Sequence, residues 1–188
     1  LVGSEMCIRD SYYAWAHRGS GNMMVWLPQE VSATSPSMSA TLASESRVDA
    51  SHKTTALSAI NDRLVPVDEN DRSMAYYHWW PMKNSTEWIT YEFPKPSKVS
   101  SSTVYWFDDE PWGGCRVPQS WKLYYKDEQG GWTPVSAAGT YGTKKGVPNT
   151  VEFTLVQTTA MKLEVVLPKD NSAGVFECCL LYTSPSPR

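Results

Sequence analysis

The chain has 188 residues, of which 41% are hydrophobic, and a net charge of −3. That is enough apolar material for one domain with a core, and too much for a disordered chain. Lys144-Lys145 is the only basic doublet, so no basic face for nucleic acid or anionic lipid is built, and no apolar run reaches the ~20 residues of a membrane span. The four cysteines, Cys7, Cys115, Cys178 and Cys179, have neither CxxC nor Cys/His spacing, which excludes the common structural zinc patterns.

Taken in order, residues 1–11 and 178–188 have neither strand alternation nor a helix period. Both resemble translated sequencing-adapter DNA and are set outside the fold. Residues 12–28, YYAWAHRGSGNMMVWLP, read as a hairpin with two glycines in its turn. Its apolar side chains need a partner sheet from an upstream domain. Residues 29–39, rich in Ser, Thr and Pro, read as a linker. The main domain is expected over 40–177.

Within that domain 40–44 is read as a short first strand, 55–60 as a helical turn and 61–73 as a long acidic loop. Strands are predicted at 76–80, 88–93, 99–107, 120–126, 132–135, 150–156, 160–167 and 174–177, separated by Gly and Pro turns. Short strands at regular spacing predict an antiparallel sandwich. Alternation assigns faces: Trp121, Leu123 and Tyr125 share one, Val151, Phe153 and Leu155 a second, and Met161, Leu163, Val165 and Leu167 a third. Trp79 and Trp80 must point to opposite sides. Nine Trp and ten Tyr are many for this length. Such enrichment is common in all-β and in carbohydrate-binding proteins, and most of it is expected to be core.

Two loops could carry chemistry. The first, 108–118, places Asp108, Asp109, Glu110, Trp112, Gly113-Gly114, Cys115 and Arg116 between two strands. Acids, a guanidinium and an indole suit an array of sugar hydroxyls and the flat face of a sugar ring. Equally, Trp112 could fold back onto the sandwich while Arg116 pairs with Asp108 or Asp109. The second loop gathers Asp62, Asp68, Glu69, Asn70, Asp71 and Ser73 within twelve residues. These oxygens suit calcium, although the spacing is not that of an EF-hand, and a solvated loop would look the same. Catalytic signatures are missing: no nucleophile elbow, phosphate-binding Gly loop or His/Glu zinc pattern occurs. Adjacent acids such as Asp108/Asp109 usually point apart, whereas glycosidase carboxylates face each other.

Several motifs carry a family resemblance. They are Ala59-Ile60-Asn61-Asp62, Asn70-Asp71-Arg72-Ser73, His78-Trp79-Trp80-Pro81, Val104-Tyr105-Trp106-Phe107-Asp108-Asp109 and Gly114-Cys115-Arg116-Val117-Pro118-x-Ser120-Trp121. Over 40–177 the chain resembles a galactose-binding-like (discoidin or coagulation-factor C-type) module. The 12–28 hairpin resembles the closing hairpin of bacterial β-L-arabinofuranosidase-type glycoside hydrolases, to which such modules are appended. The resemblance implies an all-β antiparallel jelly-roll sandwich preceded by an orphan hairpin. It implies calcium held by Asp62, Asp71, Ser73 and Glu177. It also implies a sugar site at one end of the sandwich, with Trp80, Asp108, Trp112 and Arg116 as candidates and His78 nearby. The expected function is a non-catalytic carbohydrate-binding accessory module of a secreted or periplasmic bacterial hydrolase. Its partners would be a glycan or plant-type polysaccharide and the upstream catalytic domain. The alternatives are a domain that only packs on that catalytic body, or one that lends a loop to its active site.

Overall fold

The computed structural model describes residues 37–53 and 56–181, which form one compact unit. The expected hairpin, most of the linker and residues 1–11 and 182–188 lie outside the described residues. The elements are β1 (Arg47–Ala50), a 3-10 helix (Leu57–Asn61), β2 (Tyr77–His78), β3 (Thr86–Phe107), β4 (Ser120–Lys126), β5 (Trp132–Pro134), β6 (Asn149–Val166) and β7 (Gly174–Leu181). All strand pairs are antiparallel, in the order β2-β7-β3-β6-β4-β5, with β1 against the first half of β3.

The two longest strands make the sandwich. The predicted strands 88–93 and 99–107 are two halves of β3, and 150–156 and 160–167 are two halves of β6. Between Glu92 and Ser97 the β3–β6 register slips, and Pro94 and Pro96 occupy the gap. Proline has no N–H to give a ladder, so it fits where pairing lapses. A second slip follows between Val99 and Ser101. Irregularities of this kind bend a strand and let it pass from one layer to the next. The first half of β3 thus pairs with β1 and the second half of β6, and its second half with β7.

The core fills the space between the layers. Trp121, Leu123, Met161, Leu163 and Val165 from one layer join Val104, Trp106, Val151, Phe153 and Val175 from the other in one buried cluster. Trp106 and Trp121 meet edge to face at 5.7 Å, and Trp121 donates from its indole N–H to the Gly142 carbonyl at 2.7 Å. Each such residue contributes about 1.5–3 kcal/mol through burial. Leu163 is fully buried. Leu163→Ala should cost about 2–5 kcal/mol in urea unfolding; a loss below 0.5 kcal/mol would contradict this packing.

Three expectations need correction. Segment 40–44 is a turn, closed by reciprocal bonds between Thr41 and Ser44, and the first strand lies at Arg47–Ala50. Leu155 is 47% exposed and does not share the buried side of Val151 and Phe153. The domain does not end at residue 177: β7 runs to Leu181, and Cys178, Cys179 and Leu180 are buried. β7 is covered on both faces, so apart from the buried Glu177 it is an apolar run without alternation.

Candidate functional site

One end of the sandwich is built by three segments: the loop after β3, the turn after β2 and the loop before it. Asp108 begins the first and is only 1% exposed. Its carboxylate accepts the N–H of Glu110 at 3.0 Å and of Val117 at 3.1 Å, and Lys145 Nζ lies 3.1 Å away. Asp108 is therefore an internal brace, and its expected place among ligand-facing groups is corrected. An acid at the root of a loop is worth more to orphan backbone N–H groups than to solvent.

Asp109 organises the tip. Its carbonyl accepts the N–H groups of Trp112 and Gly113, both at 2.9 Å. Its Oδ1 accepts the Cys115 N–H at 2.8 Å and faces Arg116 Nη1 at 3.4 Å. Arg72 Nη2 lies 4.0 Å from its other oxygen. The sequence reading missed this residue as the hub, because nothing distinguishes it from its acidic neighbour.

Arg116 is mostly enclosed. Its Nη1 also donates to the carbonyls of Gly113 at 3.0 Å and Cys115 at 2.6 Å. Of the two alternatives for this loop, the pairing with Asp109 is real and the one with Asp108 is not. Trp112 does not fold back: it is 87% exposed. The glycine pair makes the arrangement possible. A Cβ on Gly113 would overlap the Asp109 carboxylate, and one on Gly114 would overlap the Trp80 ring.

Trp80 lies against that glycine at 44% exposure, while Trp79 is fully buried, as alternation requires. Lys83 Nζ stands 5.1 Å from the Trp80 ring centre. His78 is partly buried, and its Nδ1 has no hydrogen-bond partner among the described residues. Burial, with the charge of His52, pulls its pKa below the ordinary value, against the pull of Asp109. Two indoles and two guanidiniums around one carboxylate bring charge and flat apolar faces to one rim, while the unused His78 nitrogen is itself buried.

The four expected calcium ligands fall into two pairs. Asp71 accepts the Val67 N–H at 3.1 Å and both the N–H and hydroxyl of Ser73, at 2.9 and 2.6 Å. Burial opposes its charge, but these bonds hold its carboxyl below the usual range. Glu177, on β7, is fully buried. Its Oε2 accepts the Arg63 N–H at 2.7 Å, whereas Oε1 has no partner. Burial, reinforced by the charge of Asp62, pushes its pKa up to about 8. Among the described residues no three acidic, His or Cys side chains converge for a metal ion. Asp71 and Ser73 thus do not join Asp62 and Glu177 as one set. A buried carboxylate oxygen with no partner is nonetheless what a cation would satisfy.

The profile of the F5/8 type C domain matches residues 32–180. The chain belongs to the F5/8 type C domain family. None of the curated proteins matches it. Among solved structures, it is similar to a Streptococcus pneumoniae β-galactosidase, BgaA, at 18% identity and TM-score 0.61, over 73% of this chain and 92% of that one. It is similar to the Clostridium perfringens module CpGH89CBM32-5, solved with GalNAc-β-1,3-galactose, at 14% identity and TM-score 0.57, over 76% and 100% of the two chains. It is also similar to the family 32 carbohydrate-binding module of C. perfringens NanJ, solved with galactose, at 16% identity and TM-score 0.56, over 75% and 97%. At these identities the likeness concerns the fold of the F5/8 type C domain. The described residues contain no helix long and apolar enough to cross a membrane.

Proposed function

We propose that this F5/8 type C domain is a non-catalytic carbohydrate-binding accessory module of a secreted bacterial glycoside hydrolase. The observation that carries the reading is Trp112: a fully presented indole, 87% exposed, on a loop tip that Asp109 fixes by backbone hydrogen bonds. The backbone beneath the ring is fixed, so binding costs less ordering than it would on a loose loop tip. Trp80, His78 and Arg116 supply the surrounding contacts. Two of the similar structures were solved with galactose-containing sugars, which makes such sugars the first to test here. Tethering raises the local substrate concentration for the attached enzyme. The parent is proposed to be a β-L-arabinofuranosidase-type hydrolase, on the resemblance of the 12–28 hairpin.

Calcium completes the proposal. Asp62 and Glu177, with backbone carbonyls of the 62–64 turn, would hold it and pin that turn to β7, a structural role.

The test is retention of residues 29–181 on a panel of galactose, GalNAc-β-1,3-galactose, L-arabinose, arabinobiose and chitosan oligosaccharides. Trp112→Ala should lose about 2 kcal/mol of affinity or more, near 30-fold, at an unchanged melting temperature. Equal retention by variant and parent would remove the ring from the site.

A further inference from the structure

The rim loop is held from outside as well as from within. Lys145 lies on the loop between β5 and β6, far along the chain from the Trp112 loop. Its ammonium stands 3.1 Å from the Asp108 carboxylate and also donates to the Glu110 carboxylate. Asp108 and Glu110 open the rim loop, and Trp112 follows two residues on. The bond to Glu110, opposed by desolvation and helped by the bond to Asp108, raises the Lys145 pKa, so the ammonium stays charged through neutral pH.

The two contacts are unequal. Glu110 is about half exposed, and an ion pair in water contributes little. Asp108 is enclosed, and an enclosed carboxylate that loses its cation is strongly disfavoured where it stands. The Glu110 and Val117 N–H groups would still reach it, but they carry no net charge.

Lys145 can serve as a fixed point because its own loop is anchored to the core. Trp121 and Trp106 both donate their indole N–H to the Gly142 carbonyl, at 2.7 and 3.4 Å. Asn149, buried at the start of β6, accepts the Lys144 N–H at 2.8 Å and donates to the carbonyls of Lys144 and Val147, both at 3.0 Å. Gly146, at φ +66°, turns the chain between these two anchors, in a conformation that glycine adopts without strain.

We propose that Lys145 is a positioning residue of the Trp112 site: from a loop locked to the core it clips the root of the rim loop, and so sets the fraction of molecules that present the indole for binding. The inference rests on the carbohydrate-binding reading and adds a control point on a second loop. The ammonium need not touch the sugar. Only the presented fraction binds, so the apparent affinity falls in proportion to that fraction.

Isothermal titration of the whole chain with galactose and with GalNAc-β-1,3-galactose, beside limited proteolysis, decides it. Lys145→Met keeps the stem and removes the charge. It should weaken binding about tenfold and open 110–116 to protease. Saturating sugar should restore protection there, because it draws the loop back to the presented state. Lys145→Arg should recover most of the affinity. Lys144→Met removes the same charge from a neighbouring side chain that makes no ion pair among the described residues, and it should bind as the parent does. Unchanged affinity in Lys145→Met, an equal loss in Lys144→Met, or a loss that Lys145→Arg does not repair would overturn the clip. Cleavage spread across the domain instead of within 110–116 would overturn it too, since that marks general unfolding. All of these leave the Trp112 reading standing, whereas a parent that binds neither sugar would overturn both.

Discussion

Without calcium, this domain should lose stability as the pH rises from about 4.5 to about 8. The cause is Glu177. Its carboxyl would titrate near 4.5 in the unfolded chain, but burial in the folded domain moves it to about 8. The folded state therefore holds the proton more tightly. Its stabilising contribution is complete below about 4.5 and is lost as pH climbs through the folded value. Within that window the slope approaches ~1.4 kcal/mol per pH unit for a single group, an upper bound for a site that can relax. Calcium should reverse the trend, because it favours the ionised carboxylate that burial penalises. Thermal melts from pH 5 to 9 in chelator and in millimolar calcium test both halves. Glu177→Gln keeps an oxygen for the Arg63 N–H and removes the charge. It should flatten the chelator curve and abolish the gain from calcium. A chelator curve that rises with pH, or a variant that still responds to calcium, would refute this account of the site.

The second large effect belongs to Asp109. Asp109→Ala should abolish glycan retention as completely as loss of Trp112, although Asp109 need not touch the sugar. Removing the carboxylate leaves the Cys115 N–H without its acceptor and the enclosed Arg116 with only the more distant Glu110, at 4.0 Å, as a charge partner. Each deserted group costs about 1–3 kcal/mol, which favours a reordered tip over the braced one. The sandwich core does not depend on the tip, so the domain should still fold and melt cooperatively. Asp109→Asn, which retains an acceptor for Cys115, should recover part of the binding. Limited proteolysis should cut the alanine variant within 110–116 and spare the parent. An alanine variant that binds normally would mean the tip is held by something else.

How far the sequence could be read depends on what each segment faces. Strands with one wet face were legible through alternation, as with Trp121 and Leu123 in β4 or the Trp79/Trp80 pair. β7 was legible only over 174–177, because a strand covered on both sides writes no alternation, and its Cys178-Cys179-Leu180 end passed for foreign sequence. β3 and β6 were read as two strands each. Pro94 and Pro96 look like a stop, yet they sit where a long strand changes layers. In the rim loop the composition marked the segment on which the Trp112 proposal rests, but it could not say which of two adjacent acids turns inward. Asp108 became the brace and Asp109 the hub because the backbone N–H groups of Glu110, Val117 and Cys115 converge there only after folding. The family resemblance brought Asp71 into the calcium set. Asp71 already satisfies Ser73 and Val67 next to it, whereas Glu177 comes from more than a hundred residues away.

The passage of β3 and β6 through both layers has a mechanical consequence. Neither layer owns a complete set of strands, so neither can peel off and leave the other intact. A pull on either end of the domain must break a ladder that also secures the opposite half.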